Sequence, residues 1–521
     1  MSESFSSPSS IVAAFLAQAD AHPDAACLAF EPDTPDAETL TYAMLRARAE
    51  AWTVAFGAWG LAAGERVALF LGNCPDFLAA YLGAGMAGGV VVPVNTQYRT
   101  TELRHIFADA GVRLCLTDVE RGRELDRVRH KLPDLAAVVT VGADSDAFLA
   151  RGGSFMPRPL PHGDEPGVIL YTSGTTGRSK GATILHRNMT ANIAAVREAW
   201  RWTATDHLLL TLPLFHIHGL MVGAHGTLTS GGRMTLRRRF DAAATLDALK
   251  TGDATLFFGV PTMYVRLLAE AERAGAPSPP LSPSCAVSPF LRLYVSGSAP
   301  LSPDIFLAWR RVFGQAILER YGMTETGMNT TNPHDPADGE RRPGTVGRPF
   351  PGQEARVVDV RTRAPLPDGD TGEIEVRGPH VFAGYWNRPD ATAEAFDPDG
   401  WFATGDLGHR DADGYYTISG RAKELIISGG YNIYPREVEE LLARCPGVAE
   451  VAVIGVLDAE YGESVAAMVV RSDPELSADT LVAFCRDALA SYKKPKYVYF
   501  VDALPRNAMG KVQKHLLRER M

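Results

Sequence analysis

Cysteine is scarce and scattered in this chain: six residues among 521, at 27, 74, 115, 285, 445 and 485, with no CxxC pair. Zinc ribbons and disulfide frameworks need clustered or regularly paired cysteines, so neither is expected and a reducing compartment fits best. A run of ~18 apolar residues able to cross a bilayer is also missing. The opening MSESFSSPSSIVAAFLAQADAHPD carries no early Lys or Arg ahead of its short apolar piece, Ile11 to Leu16, as a secretion signal would require. Positive charge is not in excess: 52 Lys+Arg against 61 Asp+Glu leave a net −9. That balance gives no general electrostatic reason to bind nucleic acid or an anionic membrane. No repeat of fixed period is present. These absences point to a cytoplasmic globular protein that must hold any anionic ligand with local groups.

The length corresponds to about three to four ordinary domains, and 46% apolar with 22% charged residues is a globular composition. After an amphipathic opening helix, apolar strand patterns alternate with helical ones: RVALFLG (66–72), PDFLAAYLGAGMAGG (75–89), VVVPV (90–94), TELRHIFADAG (101–111), RLCLT (113–117). That rhythm predicts parallel crossovers, and HLLLTLPL (207–214), ATLFFGV (254–260) and LRLYVSG (291–297) extend it. Residues 273–290, with five prolines and four serines, read as an exposed loop. From about 345, EARVVDV, GEIEVRG and GYYTISG predict a small β-rich lobe. Beyond Gly420, a capped helix (YPREVEELLARC), a strand (VAEVAVIGVLD) and a further helix (ADTLVAFCRDALASY) predict a separate α+β unit. The expected architecture is α/β: a large N-terminal domain of layered α/β subdomains plus the β-rich lobe, residues 1–422, and a mobile C-terminal α+β domain, 423–521.

The strongest local signal is Tyr171-Thr-Ser-Gly-Thr-Thr-Gly-Arg-Ser-Lys180-Gly181, entered from the apolar GVILY. Its glycines permit close backbone approach, and its hydroxyls and backbone N–H groups suit phosphate oxygens. The order of Gly, Lys and Ser/Thr is not that of a Walker A loop, and a plain Gly/Ser/Thr surface loop is the competing reading. In Glu319-Arg-Tyr-Gly-Met-Thr-Glu-Thr326, Thr324 suits a phosphate oxygen and Glu325 suits Mg²⁺, which prefers one or two carboxylates plus substrate phosphates. Taken alone, TET is more readily an acidic helix N-terminus.

YTSGTTGRSKG, YGMTET, WFATGD, GRAKELIISGGYNIYPREVE and PRNAMGKVQK, in that order, resemble the adenylate-forming superfamily of acyl-CoA synthetases, peptide-synthetase adenylation domains and luciferases. The resemblance implies ATP, Mg²⁺ and CoA as partners in the chemistry. It assigns ATP or AMP contacts to Thr172, Ser173, Gly174, Thr175, Thr176, Gly177 and Lys180, to Ser298, Ala299 and Pro300, to Tyr321 and Gly322, and to Asp406 and Arg421. Glu325 and Thr175 would serve the metal, Lys423 the hinge, and Gly429 and Gly430 a pantetheine tunnel. Lys511, Thr324, Glu325 and His218 would be catalytic. Acyl-AMP and pyrophosphate would form first; after rotation of the C-terminal domain, a thiol would take the acyl group and release AMP.

Pro213-Leu-Phe-His-Ile-His-Gly219-Leu220, Arg237-Arg-Arg-Phe240, Val260-Pro-Thr-Met-Tyr264, Ser296-Gly-Ser-Ala-Pro300 and Met323-Thr-Glu-Thr-Gly-Met-Asn-Thr330 resemble malonyl-CoA synthetases more than fatty or aryl ligases. Malonate keeps one negative charge after adenylation, and burying it needs a cation. Strand alternation through RMTLRRRF sets Leu236, Arg238 and Phe240 on one face and Thr235, Arg237 and Arg239 on the other. Arg239 is the expected malonate partner, with His218, Ser296 and Met323 lining the pocket; a solvated arginine edge is the competing reading. Methylmalonate, oxalate or a short or medium fatty acid remain alternative substrates. A catalytically silent nucleotide-binding protein is the alternative of another class. Partners are small-molecule substrates, with no nucleic acid and no membrane, and a lysine acetyltransferase or deacetylase acting on Lys511 would regulate the first half-reaction.

Overall fold

In the computed structural model, the described residues are 8–151, 158–172, 179–273, 288–428, 431–458, 461–486, 488–507 and 510–521. The chain divides into two compact units, Met1–Glu354 with Val376–Phe402, and Ala355–Glu375 with Ala403–Met521.

The first unit contains two large sheets. One runs Gly384–Tyr385, Lys180–Leu185, Pro166–Thr172, Val90–Pro93, Arg66–Phe70, Val112–Thr117, Ala137–Thr140. From Pro166–Thr172 to Ala137–Thr140 its strands are parallel, as the alternating strand and helix patterns require. These strands are nearly continuous Val, Leu and Ala because helices cover the sheet. Ile106, Phe107 and Leu125 pack over Ala68, Phe70, Val92 and Cys115.

The second sheet runs Arg348–Pro349, Gly327–Thr331, Leu318–Met323, Leu293–Ser296, Leu256–Gly259, His207–Leu210, Arg233–Leu236, Ala26–Phe30, Glu38–Thr41. The five strands from Leu318–Met323 to Arg233–Leu236 are parallel, so their C-terminal ends open on one side. In open parallel sheets that edge is where ligands are bound. Trp309 anchors the layer beneath, meeting Tyr264 and Tyr294 edge-on with centroids 4.9 Å away.

In the second unit, Glu354–Val358, Gly372–Arg377, Phe402–Arg410 and Tyr416–Arg421 form a four-stranded sheet that falls almost wholly within it. A five-stranded sheet follows, built from Tyr431–Ile433, Ile426–Ser428, Gly462–Arg471, Val448–Asp458 and Tyr497–Phe500. Helices Pro435–Leu442 and Ala478–Arg486 bury Val438, Leu442, Leu481 and Cys485 against it.

Three expectations need correction. The strand at RMTLRRRF ends at Leu236, so alternation does not govern the arginines. The TET segment is the turn of an antiparallel hairpin, Leu318–Met323 with Gly327–Thr331, rather than a helix start. The helix at 435 starts with Pro at its first turn, but Tyr434 supplies no side-chain cap. The Pro-rich segment falls mostly outside the described residues.

Gly347 leads into the edge strand with φ +77°, and a Cβ there would lie 1.9 Å from the Thr331 carbonyl oxygen. Gly352 has φ +73° with nothing within 4 Å of such a Cβ. Gly347→Ala should therefore destabilise by about 3 kcal/mol or more and Gly352→Ala by only about 1 kcal/mol. Urea unfolding of the two variants checks this, and equal losses would contradict it.

Candidate active site

At the C-terminal ends of the parallel strands Phe258, Ser296 and Arg320 stand on three neighbours: Phe258 pairs with Val295, and Ser296 with Glu319. His218 begins a seven-residue π-helix, His218–Ala224, a wide helical turn that often marks functional sites. Its ring is wholly buried and stacks on Phe258, centroids 5.9 Å apart and planes 20° apart. Neither ring nitrogen of His218 meets a hydrogen-bond partner among the described residues, and the same holds for Ser296 Oγ and for Arg320 Nε and Nη2.

Arg320 is the feature that the motifs did not announce. It is 3% exposed, and burial pulls its guanidinium down to about 9, opposed by Tyr264; it is charged at neutral pH. A Cβ on Gly297 would sit 2.4 Å from Arg320 Cζ, so the guanidinium passes close over the Gly297 backbone. Burial, then Arg320, then His216 hold His218 well below the ordinary histidine value. His216 is pushed down to about 4 by burial and Arg320, and its Nδ1 accepts from the His218 N–H at 3.3 Å. A buried cation with unmatched donors, flanked by neutral histidine and a serine hydroxyl, is complementary to a small anionic group. The signal for Arg320 in the sequence was a pair of charged residues, Glu319 and Arg320, inside the strand segment ILERYGM.

The arginine run behaves otherwise. Arg237 pairs with Glu31 and Asp33, and Arg238 with Asp36. Arg238 also lies over Phe30, 4.7 Å from its ring centroid. Arg239 is exposed, and the electrostatics of His216 and His218 carry the imprint of Arg320 instead.

The segment expected to hold phosphate is flanked by two paired strands. Pro166–Thr172 and Lys180–Leu185 are antiparallel, with Thr172 opposite Lys180. The expected contacts Ser173, Gly174, Thr175, Thr176 and Gly177 lie outside the described residues, as do Gly429 and Gly430. Lys180 Nζ stands 4.7 Å from the Tyr385 ring centroid, and the Tyr385 hydroxyl donates to Glu325 Oε1 at 3.0 Å. Glu325 is buried. Among the described residues no group of three or more His, Cys, Asp or Glu is placed to hold a metal. A single buried carboxylate fits Mg²⁺ arriving with substrate phosphates, since that ion keeps waters and few protein ligands. Tyr321 lies two residues before Met323, its hydroxyl 3.9 Å from the Met323 sulfur. Ser298 takes a left-handed φ of +70° in the segment leading to Ala299 and Pro300, a strained conformation for a residue with a side chain.

In the second unit Asp406 and Arg421 sit opposite each other on antiparallel strands, and Arg421 Nε meets Asp406 Oδ1 at 2.7 Å. Lys511 occupies a tight turn: its N–H donates to Asn507 Oδ1 at 3.0 Å and its carbonyl accepts from Asn507 N–H at 2.9 Å. Its side chain is exposed. Surrounding protein and Arg421 nevertheless lower its ammonium, with Asp406 and Glu424 opposing, so these groups share one electrostatic neighbourhood. Lys423 is exposed in the short 3-10 turn Ala422–Glu424.

Residues 15–386 match the model of the AMP-binding enzyme family, and 437–511 match the AMP-binding enzyme C-terminal domain. The chain is 40% identical to a sulfoacetate–CoA ligase of Cupriavidus necator, over 92% of each. It is 34% identical to a malonate–CoA ligase of Arabidopsis thaliana, over 90% of this chain and 80% of that one. The crystal structure of ATP-bound MatB from Rhodopseudomonas palustris is 39% identical and superposes with a TM-score of 0.88 over 98% of each chain.

Buried histidines make the fold acid-sensitive. His186 and His380 are held down to about 4 by burial, and His225 to about 3 by burial and then His186. With folded values under the ordinary 6.5, the unfolded chain binds more protons as pH falls. Their contribution is complete above pH 6.5 and is lost below it. Together they should remove roughly 3 kcal/mol between pH 6.5 and 5.5. Urea midpoints across that range measure the loss, and a flat profile would contradict it.

Proposed function

For a chain that belongs to the AMP-binding enzyme family and is a CoA ligase of the adenylate-forming type, we propose a narrower reading. It activates a short acid that carries a second anionic group, malonate, and passes the malonyl group to CoA. The observation that carries this reading is Arg320, a charged guanidinium buried with Nε and Nη2 unmatched among the described residues. A fatty-acid pocket would be apolar, and a buried lone cation in it would cost several kcal/mol. Sulfoacetate presents the same pattern, a carboxylate one methylene from a second anion. The 40% identity to a sulfoacetate–CoA ligase favours it as the second reading.

In this reading Arg320 and neutral His218 hold the distal anion beside Ser296 and Met323, leaving the other carboxylate directed at the nucleotide. That carboxylate attacks the α-phosphorus of ATP; pyrophosphate leaves and malonyl-AMP forms. Lys180 and Thr324 hold phosphate oxygens. Mg²⁺, bound through Glu325, would neutralise phosphate charge. Asp406 accepts from the ribose hydroxyls as a charge-assisted clamp, with Arg421 orienting it through their 2.7 Å contact. Lys511 places an ammonium against charge accumulating on phosphorus. Residues 423–521 then turn about Lys423, and the CoA thiol attacks the acyl carbonyl, expelling AMP. The exposed Lys511 side chain is open to acetylation, which removes the charge that the first half-reaction needs.

Acid-dependent pyrophosphate release, followed across malonate, methylmalonate, oxalate, sulfoacetate, acetate and octanoate, should favour malonate or sulfoacetate over acetate by at least about 100-fold in kcat/KM. Octanoate or acetate at the head would sink the anion-pocket reading. Lys511→Ala should lower malonyl-AMP formation by roughly 100-fold or more while supplied malonyl-AMP is still converted to thioester. Equal loss in both steps would contradict its assigned role.

A further inference from the structure

We infer that Tyr385 is a positioning residue that sets both the metal-binding carboxylate and the phosphate-binding lysine; this rests on the roles proposed above for Glu325 and Lys180. Residues 382–386 bridge the two motifs through their backbone. Phe382 N–H donates to the Glu325 carbonyl at 2.8 Å, Ala383 N–H to the Thr183 carbonyl at 3.0 Å, and Trp386 N–H to the Gly181 carbonyl at 2.7 Å. Gly384–Tyr385 thereby forms a two-residue strand antiparallel to Lys180–Leu185, with Tyr385 opposite Ala182. Lys180 and Ala182 share a face of their strand, so this register brings the Tyr385 ring diagonally under the ammonium, where the 4.7 Å separation places it.

The phenol completes the link. Its O–H donates to Glu325 Oε1 at 3.0 Å, while the Phe382 ring meets the Tyr385 ring edge-on at 4.9 Å and 76°. Thr392 Oγ1 accepts from the Tyr385 N–H at 2.9 Å. A donor on one carboxylate oxygen fixes the plane of the group, as the outer-shell partners of metal-ligating carboxylates do. The face of the same ring attracts the lysine ammonium. One side chain therefore couples two groups that lie 145 positions apart in the chain and must engage the same triphosphate.

The two functions of the side chain separate by substitution. Tyr385→Phe keeps the ring and loses the donor; Tyr385→Leu loses both. Mn²⁺ binding in the presence of a non-hydrolysable ATP analogue, read by electron paramagnetic resonance, should weaken about 10-fold in Tyr385→Phe. The Mg²⁺ concentration for half-maximal pyrophosphate release should rise in parallel, while the KM for the acid stays within about 2-fold. Tyr385→Leu should add an increase of about 3- to 10-fold in the KM for ATP. Glu325→Gln serves as the reference. If it weakens Mn²⁺ binding and Tyr385→Phe does not, the inference on Tyr385 falls and the reading of Glu325 stands. If Glu325→Gln itself leaves Mn²⁺ binding unchanged, the reading of Glu325 falls and takes the inference with it. Tyr385→Phe preserves the packed ring, so it carries the test even where Tyr385→Leu is poorly folded.

Discussion

A guanidinium buried with two of its nitrogens unmatched among the described residues is an expensive arrangement, and the proposed acid-binding site is organised around one. Arg320 needs a strand that ends at the open edge of a parallel sheet, and neighbours that do not add positive charge; its head passes close over Gly297. The histidines supply the last condition: His216 and His218 are both held neutral, in part by Arg320 itself. Arginine suits this duty better than lysine because its planar fork matches a carboxylate or sulfonate and is less strongly hydrated. In the proposed reading an incoming anion relieves a cost already present in the protein, and the pocket selects for charge before size.

The residues assigned to the nucleotide follow a different principle. Within each unit they are paired inside the protein: Glu325 with the Tyr385 hydroxyl and Lys180 with the Tyr385 ring in the first, Asp406 with Arg421 in the second. In the proposed reading such pairing fixes the direction of each group before substrate arrives. The hairpin carrying Tyr321 through Met328 lies between the two principles. Its first strand carries Arg320, and its turn carries Thr324 and Glu325, so the residues proposed for the acid and for the phosphates are spaced by only a few positions of one β-hairpin.

Much of this was legible in the sequence because the informative signals were local. Apolar runs such as RVALF and VVVP became the parallel strands, and the Gly/Thr-rich segment did fall between strands. Asp406 and Arg421 were chosen by motif, and their opposition across an antiparallel pair is the geometry behind the motif. Arg239 shows where local reasoning stopped. Alternation was extended past Leu236, but the strand ends there; Arg237 and Arg238 find acidic partners from residues 31–36, a meeting that depends on the pairing of Ala26–Phe30 with Arg233–Leu236. Arg320 escaped notice for the complementary reason. Its burial is decided by strand order, which brings Leu256–Gly259, Leu293–Ser296 and Leu318–Met323 side by side, and the adjacent charges Glu319 and Arg320 in one short strand carry no periodicity. Tyr385 likewise belongs to a two-residue strand too short to leave a pattern.

The central claim is that Arg320 discriminates acids by the charge on their far end. Calorimetry with non-reactive acyl-sulfamoyl adenosines isolates that step from turnover: a malonyl analogue is compared with its methyl ester on the native protein, on Arg320→Met and on Arg239→Met. The account predicts that the native protein prefers the free acid by about 100-fold, on the order of the 2 to 5 kcal/mol at stake in a buried charge pair. Arg239→Met should keep that preference and Arg320→Met should lose it. Preference retained in Arg320→Met and lost in Arg239→Met would contradict the account and return the role to the arginine run.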